Sequence, residues 1–424
     1  MKIRIKNGRV IDPKNNLDAV RDVFVAAGKI IAVGQPPADF QANQTLDASG
    51  QIVCPGLVDL SARLREPGHE YRATLESELR AAAAGGVTSL ACPPDTDPVL
   101  DEPGLVEMLK HRAKLLNMGH VYPLGALTRQ LHGKHLTEMC ELAEAGCVGF
   151  SHATAPLTDT QVMRRAMQYA STFGYTVWLH PEDAYLAKDG VAHDGEVAAR
   201  LGLAGIPSSA ETIALATILT LAQDTGAKVH VCRISTGASV EMIRKARQQG
   251  LPVTCDIAAN HLHLTERDIG FFDPQCRLQP PLRAQRDRDA LREGLADGTV
   301  TAICSDHTPV DDDEKLAPFA ESAPGASGLE LLLPLTLKWA NETSTPLSAA
   351  LARITCEPAA LLGINAGHLG IGACADVCVF APEEYWKVER QSLRSQGKNT
   401  PFLGWELAGK IRATLVAGHL VHQA

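Results

Sequence analysis

The feature that most constrains this chain is an eightfold alternation of short apolar runs with amphipathic or alanine-rich stretches. The apolar runs cover 52–60, 87–92, 121–127, 147–151, 176–180, 228–234, 252–258 and 300–305. Helical patterns fill the gaps. Thr74 to Ala84 stops at Gly85-Gly86, Ala210 to Asp224 stops near Gly226, and Val240 to Gln249 stops at Gly250, each the kind of glycine that ends a helix. Strands that alternate with helices argue for parallel βα units. Eight of them predict an α/β chain closed into a (β/α)8 barrel, whose chemistry sits at the C-terminal ends of its strands.

Both ends of the sequence have a different rhythm. Lys2 to Val10 alternates apolar with polar residues, Asn7-Gly8 and Ala27-Gly28-Lys29 are turn signals, and β-formers occupy Val23 to Val25 and Lys29 to Val33. Asp376 to Phe380 and Lys410 to Val416 read the same way near the C-terminus. The chain of 424 residues is 45% apolar and 21% charged, an ordinary globular composition that allows a large core. A net charge of −9 argues against nucleic acid and against anionic membrane as partners. The opening Met1 to Lys6 has no signal-peptide core. No apolar run approaches the roughly 20 residues that cross a bilayer. The 11 cysteines are odd in number and form no Cys-x-x-Cys pair. Cys54, Cys92, Cys232, Cys255 and Cys304 lie inside apolar strands, so they read as buried reduced thiols of a cytoplasmic protein. The acidic run Asp311 to Lys315 reads as a solvated loop, with a docking patch as the second reading.

The most specific motif follows the first barrel run: Asp59-Leu60-Ser61-Ala62-Arg63-Leu64-Arg65-Glu66-Pro67-Gly68. It resembles the signature of the dihydroorotases, in which a strand ends in His-x-His followed by Leu-Arg-Glu-Pro-Gly. The resemblance continues through His180-Pro181-Glu182-Asp183, Cys304-Ser305-Asp306-His307-Thr308-Pro309, Gln279-Pro280-Pro281-Leu282-Arg283, Gly325 to Glu330 and Asn399 to Gly404. It implies a barrel of the metallo-dependent hydrolase type over 54–365, with a composite β-sandwich built from 1–53 and 366–424.

The resemblance also implies which positions should bind metal, and several have changed. Ser61 and Arg63 stand at the two histidines, Arg233 at the strand-six histidine, and Ser151-His152-Ala153 at an acidic pair. Serine is a poor zinc ligand, and a guanidinium has no lone pair to donate. His180 and the strand-eight Asp306 remain, fewer than the three protein ligands a catalytic zinc generally needs. We therefore expect no metal and no cofactor, with Asp306 and His180 as vestiges of the catalytic set. Arg65 and Arg283, at family substrate positions, are read as vestigial substrate-binding groups whose simpler role is a salt bridge. Buried charges must be paired, so Arg63 or Arg233 should contact Asp306. Asp95 and Asp97, where the family has asparagines, should weaken carboxylate binding. His261-Leu262-His263 mimics His-x-His but keeps only one family position.

The closest family pattern is that of the noncatalytic dihydroorotase-like chains of bacteria that assemble with aspartate carbamoyltransferase. It implies a structural subunit without enzymatic activity in pyrimidine (UMP) biosynthesis. The partner would be the transcarbamoylase catalytic chain, in a complex of six copies of each chain, and the barrel itself would dimerise. Two alternatives remain: an active amidohydrolase with an altered mononuclear site, helped by His152, His230, His261 or Cys304 and acting on a cyclic amide, or a sensor that binds a pyrimidine precursor through Arg65 and Arg283.

Overall fold

The computed structural model describes residues 1–424. Eight parallel strands form the barrel: Leu57–Asp59, Val87–Cys92, His120–Pro123, Phe150–Ser151, Thr176–Leu179, Lys228–Val231, Val253–Ala258 and Ala302–Cys304. Apolar partners such as Leu90↔Val121, Val177↔Val229 and Ile257↔Ile303 fix their register. The barrel closes where strand eight meets strand one. There the His307 amide donates to the Ser61 carbonyl at 3.0 Å and the Arg63 amide to the His307 carbonyl at 2.9 Å. Closure therefore brings the Ser61–Arg63 segment and Asp306 together at one end. Inside, Val58, Leu60, Ala91, Trp178, Ala258 and Cys304 fill the barrel with packed side chains rather than a pore.

The helices match their sequence signals closely. Leu75–Ala84 begins at Thr74, whose hydroxyl accepts from the Ser77 amide, and ends at Gly85. Ser208–Thr225 ends at Gly226 in the left-handed region, and Gly237–Gln248 is capped by Thr236.

The run 52–60 is two strands rather than one. Ile52–Pro55 pairs antiparallel with Val377–Lys387, placing Cys54 opposite Cys378, whereas Leu57–Asp59 belongs to the barrel. The chain changes sheets at Gly56, where a Cβ would collide with the Thr88 side chain. Glycine alone fits this corner.

Both chain ends share one eight-stranded sheet. Its order runs from His419–Gln423 through Glu406–Val416, Val377–Lys387, Ile52–Pro55, Lys2–Asp12 and Leu17–Ala26 to Lys29–Val33, with Gln44–Asp47 also pairing Lys2–Asp12. The sheet folds over its own apolar core, formed by Ile3, Ile5, Val10, Val23 and Val25 from the N-terminal strands and Val377, Val379 and Leu415 from the C-terminal ones. No helix is long and apolar enough to cross a membrane.

The acidic run is not a solvated loop. Asp312–Leu316 is a short helix capped by Asp311, the Lys315 ammonium is buried and donates to the Pro274 carbonyl at 2.9 Å, and Glu314 is bound by Arg72. Asp312 pairs with Arg390. Two of these acidic charges, Asp312 and Glu314, are thus paired with cations from distant segments, and the Lys315 ammonium is bound by backbone carbonyls.

Candidate active site

The strand ends converge on a cavity of about 200 Å³ at the barrel mouth, lined by Arg63, Arg65, Arg72, Asp95, Asp306 and Thr308 among others. Asp306 lies at its floor. Its Oδ1 is 3.0 Å from Arg233 Nη1 and 3.7 Å from Arg63 Nη1, so both arginines expected to neutralise it do so. Ser61 Oγ accepts from Arg233 Nη1 at 3.2 Å, tying Ser61, Arg63 and Arg233, three of the changed metal positions, into one network. The side chains of Arg63, Arg233 and Asp306 are each no more than 8% exposed. Burial alone would lower the Arg233 pKa, but the neighbouring Asp306 holds the guanidinium firmly charged and raises it.

Arg63 has a second anchor that sequence reading missed. Its Nε sits 2.7 Å from Asp95 Oδ2, and Nη1 donates to Thr308 Oγ1 at 3.0 Å. Although burial opposes the Asp95 charge, Arg63 outweighs it and lowers the carboxyl pKa. Asp95 therefore does not repel a substrate carboxylate as expected, because Arg63 neutralises it. The signal was present in the sequence as two departures of opposite charge, Arg63 and Asp95. Asp97 is exposed to solvent.

Arg65 behaves differently. Its Nε donates to the Pro309 carbonyl at 2.9 Å, but no carboxylate lies within ion-pair distance. Burial, followed by the repulsion of Arg63, lowers its pKa to about 10. The salt bridge expected for Arg65 is therefore not made. Arg72, unnoticed in the sequence, reaches the same cavity while bound to Glu314 through Nε at 2.9 Å. Arg283 is not brought to this cavity. It is buried elsewhere, donating to Ser235 Oγ at 3.0 Å and the Ile206 carbonyl at 2.8 Å, with Glu211 at 3.9 Å.

The histidines are dispersed. His180 Nδ1 lies 3.2 Å from the Cys232 carbonyl, and its buried Nε2 has no hydrogen-bond partner. His152 is held by Thr128 Oγ1 and the Ala155 carbonyl, both at 2.8 Å. His230 packs at a tilt against Trp178 and reaches Asp256 at 3.1 Å. His261 reaches the Pro281 carbonyl at 3.2 Å and His263 the Leu335 carbonyl at 2.8 Å, so the two do not face a common ion. Burial pushes the Cys304 thiol well above its ordinary pKa. Metal ions of the kind this type of barrel carries do not fit here. Two guanidiniums occupy the position, and Asp306 spends its charge on them.

Three residues of the mouth, Arg65, Arg233 and Asp306, have φ values of 62°, 51° and 49°. Left-handed backbone at bulky residues costs about 1–3 kcal/mol each and concentrates at functional sites. His307 braces this segment by placing Nε2 2.6 Å from the buried Glu78 and Nδ1 3.1 Å from the Gly328 amide.

Comparison with known proteins places this architecture. Residues 50–239 match the dihydro-orotase-like family. A dihydroorotase-like protein of Pseudomonas aeruginosa is 46% identical over 423 residues, covering 100% of both chains. The chain belongs to the dihydroorotase-like family. A dihydroorotase of Geobacter sp. (strain M21) is 42% identical over 424 residues, again covering 100% of both chains. The fold matches an L-hydantoinase (dihydropyrimidinase) from Arthrobacter aurescens with a TM-score of 0.89 at 25% identity, covering 99% of this chain and 96% of that one. This dihydroorotase-like chain is thus a (β/α)8 barrel of the amidohydrolase superfamily.

These relatives overturn the expectation that the chain is no enzyme. Proteins named dihydroorotase align with it from end to end, and a hydrolase shares its fold. The error was physical. Counting lost ligands tests only one means of polarising a carbonyl.

Proposed function

We propose that this chain is a cyclic amidohydrolase with an altered site, acting on a cyclic amide that carries a carboxylate, of the dihydroorotate type. The observation that supports this reading is Arg65, a mostly buried cation at the cavity with no acidic partner of its own. A buried charge without a counter-ion calls for an anionic ligand, and a planar guanidinium suits a carboxylate. The names of the full-length relatives supply the substrate class.

Ring opening adds water across the amide. A bond forms between the water oxygen and the ring carbonyl carbon, the ring C–N bond breaks, and the water proton ends on the released nitrogen. The arginines at Asp306 would stabilise the developing oxyanion, acting as preorganised charges in a site shielded from solvent. Asp306, ion-paired to both, would hold the two guanidiniums in place at the ring carbonyl.

The test is interconversion of dihydroorotate and carbamoyl aspartate by purified protein, followed by the ultraviolet absorbance of the ring. A charge-assisted hydrogen bond contributes about 1.5–3 kcal/mol. Arg65→Ala should therefore raise KM by about 10- to 150-fold and change kcat far less. Absence of turnover with both dihydroorotate and hydantoin would refute the reading, and so would binding of dihydroorotate without turnover.

We also propose, on family resemblance, that the chain associates with an aspartate carbamoyltransferase catalytic chain and pairs with a second copy of its own barrel. Carbamoyl aspartate, the product of that partner, is the open form of dihydroorotate, so the association would join two consecutive reactions.

A further inference from the structure

Opposite the mouth, where the barrel floor meets the terminal sheet, three metal-ligating side chains converge. His120 is the first residue of barrel strand three, and Cys374 and Asp376 lie on the extended segment leading into Val377–Lys387. Cys374 and Asp376 are two apart, so extended backbone directs both side chains to one side. That segment is fixed against its neighbours. Lys29 bridges to Cys374, and the Gly56 amide donates to the Asp376 carbonyl at 2.9 Å.

His120 Nε2 lies 3.1 Å from Asp376 Oδ1 and 3.9 Å from Cys374 Sγ, and the three ligand atoms all fall within 4.8 Å of one another. A tetrahedral zinc with bonds of about 2.3 Å to sulfur and about 2.0–2.1 Å to nitrogen and oxygen separates S from N by about 3.5 Å and N from O by about 3.3 Å. The two His120 separations lie close to these edges and the third is within 4.8 Å, so modest side-chain movements would seat the ion. Asp376 Oδ1 also accepts from the Ala417 amide at 2.8 Å, which fixes the carboxylate plane. Such outer hydrogen bonds orient metal ligands. His120 is one-third exposed while Asp376 is 6% exposed, so a fourth position opens toward water.

We propose that His120, Cys374 and Asp376 form a site for one zinc-class divalent cation that clamps the terminal sheet to the barrel floor. The donor set of thiolate, imidazole and carboxylate is borderline-soft and selects zinc or cobalt(II) over magnesium or calcium. The site is separate from the mouth and does not depend on the activity proposed above. Its ligands come from two parts of the chain that meet only in the finished fold, so the ion would bind the native state in preference to the unfolded one.

The test uses the full chain, reduced and stripped with a chelator. Zinc counted by mass spectrometry should reach one equivalent per chain, and cobalt(II) should show the thiolate charge-transfer band of a tetrahedral site. Cys374→Ser should abolish that band, and both Cys374→Ser and His120→Gln should weaken zinc binding by about tenfold or more. Zinc should also protect Cys374 of the unmodified protein from alkylation, read by peptide mass spectrometry, which needs no variant to fold. Failure of the wild-type protein to take up zinc would overturn the proposal. So would unchanged zinc binding in Cys374→Ser, or Cys374 alkylated equally fast with and without zinc.

Discussion

Removing the charge of Asp306 gives the most direct test of how the mouth is built. Asp306 faces two cations, whereas the Arg233 guanidinium has Asp306 as its only carboxylate within 4.0 Å; Arg63 keeps Asp95 at 2.7 Å. Asp306→Asn therefore strands Arg233 alone. Breaking a buried pair by removing one partner costs about 3–5 kcal/mol. Unfolding entropy of about 2.1 cal/mol/K per residue, over 424 residues, gives about 0.9 kcal/mol/K. The melting temperature should thus fall by about 3–6 °C in scanning calorimetry. Arg233→Met should cost less, because Asp306 retains Arg63. The double variant should recover at least about 1.5 kcal/mol relative to the sum of the single changes. Additive effects, or a larger loss from Arg233→Met than from Asp306→Asn, would refute the ion-pair reading.

The remaining predictions address separate parts of the molecule. His263 is buried with Arg292 Nη2 3.4 Å from its Nδ1, and burial lowers its pKa to about 4 against an unfolded value of 6.5. Between those values the unfolded chain binds more protons, so stability falls as pH drops from 6.5 toward 4, with about 2 kcal/mol lost from pH 7 to pH 5. Urea unfolding at both pH values should show that His263→Gln reduces this drop by that amount, and an unchanged drop would exclude His263 as its source. Gly68 follows Arg65 closely, has φ +97°, and a Cβ there would strike the Asp97 carbonyl. Gly68→Ala should cost roughly 2–5 kcal/mol and raise KM for dihydroorotate. Gly50→Ala, also at positive φ but with nothing within 4 Å, should cost roughly 1–2 kcal/mol. Equal melting temperatures for the two would sink this account. Isolation from native cells followed by mass determination should find the chain bound to an aspartate carbamoyltransferase chain. Recovery solely as a free chain would count against that association.

The barrel strands were legible because strands buried on both faces read as continuous apolar runs. The corner at Gly56 was not, since Ile52–Pro55 and Leu57–Asp59 are buried alike and a change of sheet leaves no hydropathic mark. The contacts of Arg63 and Arg233 with Asp306 followed from the need to neutralise buried charge. The Arg63–Asp95 pair did not, because each residue was judged against a family position rather than against the other. Glu314 and Lys315 looked solvated for a similar reason, since their partners Arg72 and Pro274 are far away in sequence. His120 and Cys374 stand 254 residues apart, a separation at which no local spacing rule operates. Catalytic status was misjudged because absent imidazoles say nothing about what replaces them.

The shared sheet also sets an order of events during synthesis. Ile52–Pro55 leaves the ribosome early, yet one of its two neighbours is Val377–Lys387, made near the end of translation. For most of its synthesis the nascent polypeptide carries an apolar strand with one unsatisfied edge, the kind of surface that invites chaperones or misassociation. The barrel must consequently be largely assembled as an insertion within a module that is completed last.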